Sequence, residues 1–447
     1  MNKNEHLLAS RRFLPMFLTQ FFGALNDNVF KQALLLVITY GWIQQQSANI
    51  STLNNLAALL FILPYFIFSA TAGQIADKYE RSQLIRYLKL LEIAIMLLGT
   101  VGFLMGNLWI LLFALFLMGT STCVIAFLPS YDRIGVAAIV ILSLMRIGQG
   151  VAQGGSWDGL PSLLALSAPE NKRGFYAMLG QLAAPVGFLI AAGLFAYLLA
   201  NLSQDDFLVW GWRFPFFCAF AINIVALFAR LRLVSTSEYS RLLDAHELDP
   251  APVGELVKSQ GSNIAIGALA ALASYALFHL VTVFPLSWIQ LYDTRPMDEF
   301  LVIQMWGAGL AVLAIFASGF IADRAGRRTT LGTLAVLIGL FSLAVPSLMD
   351  GGVTGQNTFI LVGFTLLGLS YGQAAGAVTA NFKQQYRYTG AALTSDLAWL
   401  VGAAFAPLVA LGLSAHFGLG YVSLYLLSGA VGSLAALSLN RALEIRD

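Results

Sequence analysis

Residues 319–328 read Gly-Phe-Ile-Ala-Asp-Arg-Ala-Gly-Arg-Arg, and residues 73–81 read Gly-Gln-Ile-Ala-Asp-Lys-Tyr-Glu-Arg. Each copy follows one long apolar segment and precedes another. A glycine, an aspartate four residues later and a cluster of basic residues are typical of a turn at the cytoplasmic membrane surface, where Lys and Arg concentrate. Because the turn occurs once in each half of the chain, it predicts a protein built from two related bundles of membrane helices.

The composition of the whole chain is that of a membrane protein. Hydrophobic residues make up 58% of the 447 residues and charged residues only 11%, whereas about 25% of residues are charged in soluble proteins. Apolar runs of about 20 residues recur, which is the length that crosses a bilayer as a helix. Lipid cannot satisfy backbone polar groups, and the runs are too long for barrel strands, so the sequence predicts an all-α membrane protein.

The apolar segments predict about twelve crossings of the membrane. Clear segments lie at 13–42, 52–72, 176–200, 210–230, 262–290, 300–322, 329–349, 357–381, 390–414 and 420–440. Three more, at 87–106, 108–129 and 134–155, follow the first motif. Most Lys and Arg residues fall on one side only if this region, 87–155, crosses the membrane twice. We therefore expect twelve spans, one surplus apolar segment and cytoplasmic termini; thirteen spans is the alternative.

The only long polar stretch divides the chain into two halves. It covers residues 231–261 and contains acidic residues, a histidine and two prolines. We predict an N-terminal transmembrane bundle at 1–230, a central cytoplasmic loop at 231–261 and a C-terminal transmembrane bundle at 262–447. The loop is expected to link two six-helix bundles without forming a domain of its own.

The duplicated halves, the middle loop and the repeated motif together resemble the major facilitator superfamily. The second copy of the motif matches the family pattern G-x-x-x-D-R-x-G-R-R fully. The first copy departs from it, because Glu80 replaces the inner glycine and Ser82 the final basic residue. The resemblance covers nearly the whole chain. It implies two six-helix bundles around a central cavity and transport by alternating access.

Two parts of the chain resemble different groups within that superfamily. Residues from about 115 onward are similar to the metabolite:proton symporter family, whose members carry α-ketoglutarate, shikimate, citrate, proline and betaine. The stretches that carry this similarity are 128–131 (Leu-Pro-Ser-Tyr), 146–155 (Arg-Ile-Gly-Gln-Gly-Val-Ala-Gln-Gly-Gly), 172–176 (Lys-Arg-Gly-Phe-Tyr), 211–216 (Gly-Trp-Arg-Phe-Pro-Phe), 230–233 (Arg-Leu-Arg-Leu) and 387–390 (Arg-Tyr-Thr-Gly). Residues 12–118 resemble instead the lysophospholipid transporter group, through 21–31 (Phe-Phe-Gly-Ala-Leu-Asn-Asp-Asn-Val-Phe-Lys) and 84–92 (Leu-Ile-Arg-Tyr-Leu-Lys-Leu-Leu-Glu).

The repeated motif supplies the first set of predicted functional residues. A carboxylate near a helix N-terminus is stabilised by the helix dipole and can pair with a nearby Arg. A contact made in one state and broken in another suits a switch between two bundle arrangements, and in the family the motif is linked to such switching. The switch residues are Gly73, Asp77, Arg81, Gly319, Asp323, Arg324, Gly326, Arg327 and Arg328. The alternative is a topology signal on a solvated surface.

Ionisable residues inside the apolar segments supply the second set. Such residues are costly in a membrane and usually face a cavity. Asp27 and Lys31 are four residues apart on the first segment and share one helix face, so they form either a structural ion pair or a proton-coupling site. His279 interrupts a later segment near Tyr275, where it can titrate or bind a polar solute. A histidine that is merely hydrogen-bonded is the alternative.

Arg146 is the predicted substrate clamp. A guanidinium stays charged and can hold a carboxylate with two parallel hydrogen bonds. Gln149 and Gln153 follow it at helical spacing. Members of the symporter family carry an acidic residue where this chain has Ser156, and Asp158 is the nearest candidate to replace it. An internal pair between Arg146 and an aspartate is the alternative.

Asp396 and Trp399 complete the predicted substrate site together with Tyr275. Asp396 interrupts the apolar segment 390–414, and Trp399 lies about one turn further on. Proline residues in neighbouring segments can break their helices, and broken helices often flank transporter sites.

The sequence therefore predicts a secondary active transporter that carries a small organic acid or zwitterionic metabolite with protons. Lysophospholipid transport is the first alternative, and a membrane sensor or assembly protein without transport is the second. No ATP-binding, metal-ligand or nucleophile motif occurs, so we expect no enzyme activity, no cofactor, no metal and no nucleic-acid partner. We expect a monomer in the bacterial inner membrane whose partners are its small-molecule substrate, protons and the lipid bilayer.

Overall fold

The computed structural model describes residues 172–209, 253–379, 387–404 and 406–439, with isolated positions at 211, 214, 215, 218 and 382. Every regular element in these ranges is helical. The helices are α1 (Arg173–Leu179), α2 (Ala183–Asn201), α3 (Gln204–Val209), α4 (Val253–Ala270), α5 (Leu272–Thr282), α6 (Phe284–Tyr292), α7 (Met297–Ala325), α8 (Arg327–Met349), α9 (Gly352–Thr379), α10 (Arg387–Trp399), α11 (Ala406–Phe417) and α12 (Leu419–Leu439), with a turn of π-helix at Leu400–Ala404 between α10 and α11.

Six of the helical stretches are long and apolar enough to cross a membrane. They are Gly174–Asn201, Gly254–Tyr292, Met297–Ala325, Arg327–Met349, Gly352–Ala374 and Leu419–Leu439. Each contains or largely overlaps an apolar segment predicted from the sequence. The predicted all-α membrane fold is therefore confirmed. The earlier predicted spans, the surplus segment at 87–155 and the choice between twelve and thirteen crossings lie outside the described residues.

The last part of the predicted central loop, 231–261, contains helical residues. Helix α4 begins at Val253, directly after a proline. Its first turns are mostly exposed, but Leu256 is buried against Ile264. The backbone leaves helical geometry at Gln260 (φ −129°, ψ 15°). A short amphipathic helix thus precedes the span, and the predicted span start at 262 corresponds to this kink.

Helix α7 lies against α9 along a stripe of small residues. Its buried face includes Ala311, Ala314 and Ser318. A side chain at Gly368 of α9 would collide with the carbonyl of Ala311, and one at Gly372 would collide with the hydroxyl of Ser318. Membrane helices gain no hydrophobic energy by associating in lipid, so small residues that permit close van der Waals contact define such interfaces.

The opposite face of α7 carries large apolar side chains. Trp306 is 69% exposed, Leu313 65% and Phe320 54%. In a soluble protein this surface would predict an interface, but in a membrane helix it is the face that contacts lipid. The division between small buried and large exposed residues therefore fixes which side of α7 faces the protein.

Candidate functional site

The aspartate of the second motif copy contacts a helix that lies before the central loop. The backbone N–H of Gly174 donates to Asp323 Oδ1 at 2.7 Å, and the N–H of Phe175 donates to Asp323 Oδ2 at 3.2 Å. Both amides are in the first turn of α1, where N–H groups have no partner inside the helix. The N-cap residue of α1, Lys172, makes no side-chain cap. Asp323 therefore caps α1 from 149 residues away in sequence, and the carboxylate also meets the positive end of the helix dipole.

Two glycines allow α1 and α7 to approach closely beside this cap. A β-carbon at Gly174 would lie 2.7 Å from Asp323 Oδ1 and 3.0 Å from the carbonyl oxygen of Gly319. A β-carbon at Gly319 would lie 3.0 Å from the α-carbon of Phe175. The first glycine of the motif therefore serves the contact between helices, because the turn itself is made elsewhere.

The turn of the motif is made by its second glycine. Gly326 lies between α7 and α8 with φ 80° and ψ 144°, a backbone conformation that side-chain-bearing residues rarely adopt. Arg324 lies in the last turn of α7, whereas Arg327 and Arg328 begin α8. We call the membrane face at this turn the motif side. The first copy, with Gly73, Asp77 and Arg81, lies outside the described residues.

An aromatic cluster gathers several of the predicted site residues among the helices after the loop. The ring centroids of Tyr275 and Trp399 are 4.7 Å apart, and His279 lies 6.3 Å from Trp399 in an edge-on arrangement. Phe278 and Tyr371 complete the cluster, with centroids 5.4 Å apart. We call these five residues the aromatic cluster.

Asp396 lies on the same helix as Trp399, about one turn earlier. Its side chain is only 4% exposed, and that of His279 is fully buried. Positions three apart on a helix share a face, so the acidic residue and the cluster belong to one region. The structure thus brings Tyr275, His279 and Trp399 into one cluster, and Asp396 lies one turn before Trp399 on the same helix.

Two of the three helices that supply the cluster, α5 and α10, are irregular beside it. Helix α10 passes into the π-turn directly after Trp399, and such turns are frequent at functional sites. There Gly402 is pressed against Tyr275, since a β-carbon on the glycine would lie 2.8 Å from that of the tyrosine. The absence of a side chain at Gly402 therefore lets the π-turn pack directly against Tyr275 of the cluster.

The second irregularity is the break between α5 and α6. Proline has no N–H, so Pro285 leaves the carbonyl of Val281 without its helical partner. The amide Nε2 of Gln304 donates to that carbonyl at 3.0 Å and to the carbonyl of Thr282 at 3.3 Å. Gln304 is fully buried, and its side chain replaces the hydrogen bond that the proline removes.

A polar network lies at the end of these helices on the membrane side opposite the motif side. Arg295 donates to Gln356 Oε1 at 3.2 Å and to Asn357 Oδ1 at 2.8 Å, and its guanidinium lies 5.2 Å from the ring centre of Phe300. Gln356 donates in turn to Asp293. This hydrogen bond is the main reason that the pKa of Asp293 lies below its usual value. Burial lowers the pKa of Arg295, partly offset by nearby acidic groups.

Sequence reasoning missed several uncharged members of these sites, although it selected Tyr275 and Trp399. Tyr371, Phe278 and Gln304 resemble ordinary residues of an apolar segment, and only their tertiary contacts distinguish them. Predicted residues that lie outside the described part of the chain are Asp27, Lys31, Arg146, Gln149, Gln153 and Asp158.

Comparisons with known proteins agree with this architecture. Residues 16–407 match the family model described as Major Facilitator Superfamily. The inner membrane metabolite transport protein YhjE of Escherichia coli is 34% identical over 76% of this chain and 79% of its own. The shikimate transporter of Escherichia coli is 32% identical over 74% of this chain and 77% of its own.

A solved structure shares the fold at low sequence identity. The crystal structure of a D-xylose-proton symporter superposes with a TM-score of 0.68 and 15% identity, over 96% of each chain. The helical architecture, the motif at the turn after α7 and the family match lead to one conclusion: the chain belongs to the Major Facilitator Superfamily of membrane transporters.

Proposed function

We propose that this metabolite transporter works as a symporter, in which proton movement drives uptake of a small organic acid or zwitterion. We further propose that it acts as a monomer in the inner membrane with cytoplasmic termini. The metabolite class has support from the relatives, one of which is named for shikimate, a carboxylic acid. The predicted cytoplasmic position of the basic residues supports the orientation.

The observation that carries the proposal is the burial of Asp396 about one helical turn from Trp399 of the aromatic cluster. An acidic side chain in the interior of a membrane bundle is costly and is retained where it serves a site. Trp and Tyr rings attract a cationic group over their faces. The region of Asp396, Tyr275 and Trp399 thus suits the positive end of a zwitterion or a hydrogen-bonding hydroxyl.

The predicted substrate contacts from the other half would bind the negative end. Arg146 is proposed to hold a carboxylate, with Gln149 and Gln153 as hydrogen-bonding neighbours and Asp158 close by in sequence. A carboxylate clamp from one half and an acidic, aromatic region from the other would span a small zwitterion.

Proton coupling is proposed to use His279 or the pair Asp27 and Lys31. His279 is fully buried and lies in the aromatic cluster, where a titratable ring could exchange a proton when the site opens. Asp27 would take the same role by protonation of a carboxylate within an apolar segment of the sequence.

The capping contact of Asp323 is proposed to be the switch of alternating access. It joins a helix before the central loop to one after it, through one carboxylate and two backbone amides. Breaking it would let α1 and α7 separate on the motif side. Gly319 and Gly326 shape the contact and the turn, and the cluster of Arg324, Arg327 and Arg328 anchors the turn at the surface.

Uptake by purified protein in proteoliposomes tests this function. Labelled shikimate, glycine betaine and lysophospholipid would each be offered with and without an inward proton gradient. We expect gradient-dependent uptake of shikimate or betaine, abolished by a protonophore. Uptake indifferent to the gradient would contradict symport, transfer of lysophospholipid alone would favour the first alternative, and no transport of any solute would favour a sensor.

The variant Asp396→Asn tests the site within that assay. It removes the charge and preserves side-chain size. Uptake should fall at least about tenfold, which is the effect of losing one charge-assisted hydrogen bond to the substrate. Thermal unfolding of the variant, measured in parallel, separates a loss of transport from a loss of folded protein. The matched control is Asp350→Asn, an exposed acid at the end of α8, which should transport normally.

A further inference from the structure

Gln373 is a buried amide that lies outside both copies of the repeated motif. It lies on α9, is fully buried, and donates through Nε2 to the carbonyl oxygen of Gly174 at 3.2 Å and to Ser318 Oγ at 3.2 Å. The first of these bonds runs between parts of the chain 199 residues apart. It therefore connects α1, which precedes the central loop, to α9, which follows it.

Gly174 is thereby held at both of its backbone polar groups. Its N–H donates to Asp323 on α7, and its carbonyl accepts from Gln373 on α9. Ser318 lies on α7 and donates to the carbonyl of Ile315, which leaves its oxygen positioned to receive the Gln373 amide. Two helices of the later half thus hold one residue of the earlier half by different chemistry, a carboxylate and a neutral amide.

The geometry of α9 ties this contact to the aromatic cluster. Tyr371 belongs to the cluster, and Gln373 is two residues further along the same helix. Residues two apart point to opposite sides of a helix. A single turn of α9 therefore presents Tyr371 to the cluster and Gln373 to α1.

We propose that Gln373 is a second positioning residue of the contact between the two halves, one that lies outside the repeated motif. It holds α1 against α9 on the motif side while Asp323 holds α1 against α7. Its consequence for transport rests on the proposed alternating access, whereas the contact itself does not.

The test measures the separation of the halves directly. Spin labels would be placed at Lys172→Cys and Thr329→Cys, both exposed on the motif side, after Cys123→Ala and Cys218→Ala. Double electron–electron resonance in nanodiscs then reports the distance distribution. Gln373→Met keeps the side-chain volume and removes the donor, and we expect it to raise the population of long distances about fivefold, as expected for one neutral hydrogen bond.

Gln304→Met is the matched control. Gln304 is equally buried and also donates to backbone carbonyls, but both of its bonds lie within helices after the loop. It should lower thermal stability without lengthening the distance. Equal shifts in both variants, or no shift with Gln373→Met, would overturn the proposal.

Ser318→Ala provides a second variant should Gln373→Met fail to fold. It removes one partner of the Gln373 amide and leaves the bond to Gly174, so it should shift the distances in the same direction by about twofold, part of the effect of one hydrogen bond. An unchanged distribution would count against the proposal. A distance shift in protein that transports no solute would preserve the contact and reject the transport function.

Discussion

The two ends of the helices after the central loop are held by different kinds of interaction. On the motif side, Asp323 binds backbone amides of α1, a helix from before the loop. On the opposite side, Arg295 binds side chains at the start of α9, within the later half itself. The first contact joins the two halves, whereas the second joins residues within the later half only.

The difference indicates which contact can serve a transport cycle. A helix N-terminus offers unsatisfied N–H groups that water can take over when the helices part, so the Asp323 contact can open at limited cost. The Arg295 network joins helices that must stay together if a bundle moves as a rigid body. Substitutions at the motif side should therefore change the separation of the helices, whereas substitutions at the opposite side should change thermal stability.

The largest expected effect is that of Asp323→Asn. It removes the negative charge and one of two acceptor oxygens, and charge-assisted hydrogen bonds contribute about 1.5–3 kcal/mol each. The population with separated helices on the motif side should rise roughly thirtyfold, with a matching loss of uptake. Spin-label distances between positions 172 and 329 provide the measurement. If Asp323→Asn gave wild-type distances, the cap would be merely structural.

Gly174→Ala should act in the same direction with a smaller effect. The added methyl group would lie 2.7 Å from Asp323 Oδ1 and 3.0 Å from the Gly319 carbonyl, and such overpacking costs about 1–3 kcal/mol. The same distance measurement should show roughly tenfold more of the separated state. Gly309→Ala is the control, because a β-carbon there meets no atom within 4 Å; a comparable shift in that variant would refute the steric explanation.

Arg295→Gln should lower stability without changing the distances on the motif side. It loses hydrogen bonds to Gln356 and Asn357 and the contact with Phe300, together about 1–3 kcal/mol. Thermal unfolding in detergent measures the loss, with the exposed Lys258→Gln as control. A lengthened distance on the motif side would show that the two ends are not independent.

The smallest effect is the acid sensitivity contributed by Asp293. Its pKa is lowered in the folded protein, chiefly by the Gln356 hydrogen bond. Its contribution is therefore complete above the unfolded pKa of about 3.9 and is lost as pH falls through the lower folded value. Since the group is partly solvated, we expect less than about 1 kcal/mol. The free energy of unfolding would be measured from pH 3 to 7 for the wild type and Asp293→Asn. The wild type should lose this increment as the pH falls toward 3, whereas the variant should not. Neither protein should lose stability through this group between pH 5 and 7.

Most of the fold could be predicted because lipid imposes strong constraints on sequence. Apolar runs locate the spans, and basic residues with Gly326 locate the turn between α7 and α8. The short helix before Gln260 was missed, because its mixed polarity resembles a linker. Only Leu256, buried beneath an exposed turn, reveals its amphipathic character.

The candidate site was predictable where its residues are unusual in a membrane. His279 and Asp396 stand out in apolar segments, and Trp399 and Tyr275 were inferred as their neighbours. The partner of Asp323 could not be inferred, since nothing in the local sequence specifies a helix 149 residues away. Gln304, Tyr371 and Gln373 lack any local signature, and their roles arise from packing alone.

The proline break between α5 and α6 has a consequence for how this part of the protein can bend. An ordinary proline kink in hydrocarbon exposes a carbonyl that no water can reach. Here the amide of Gln304 donates hydrogen bonds to two successive carbonyls, those of Val281 and Thr282. Because one amide reaches both carbonyls, a small rotation of α6 relative to α5 would leave at least one of these hydrogen bonds in place.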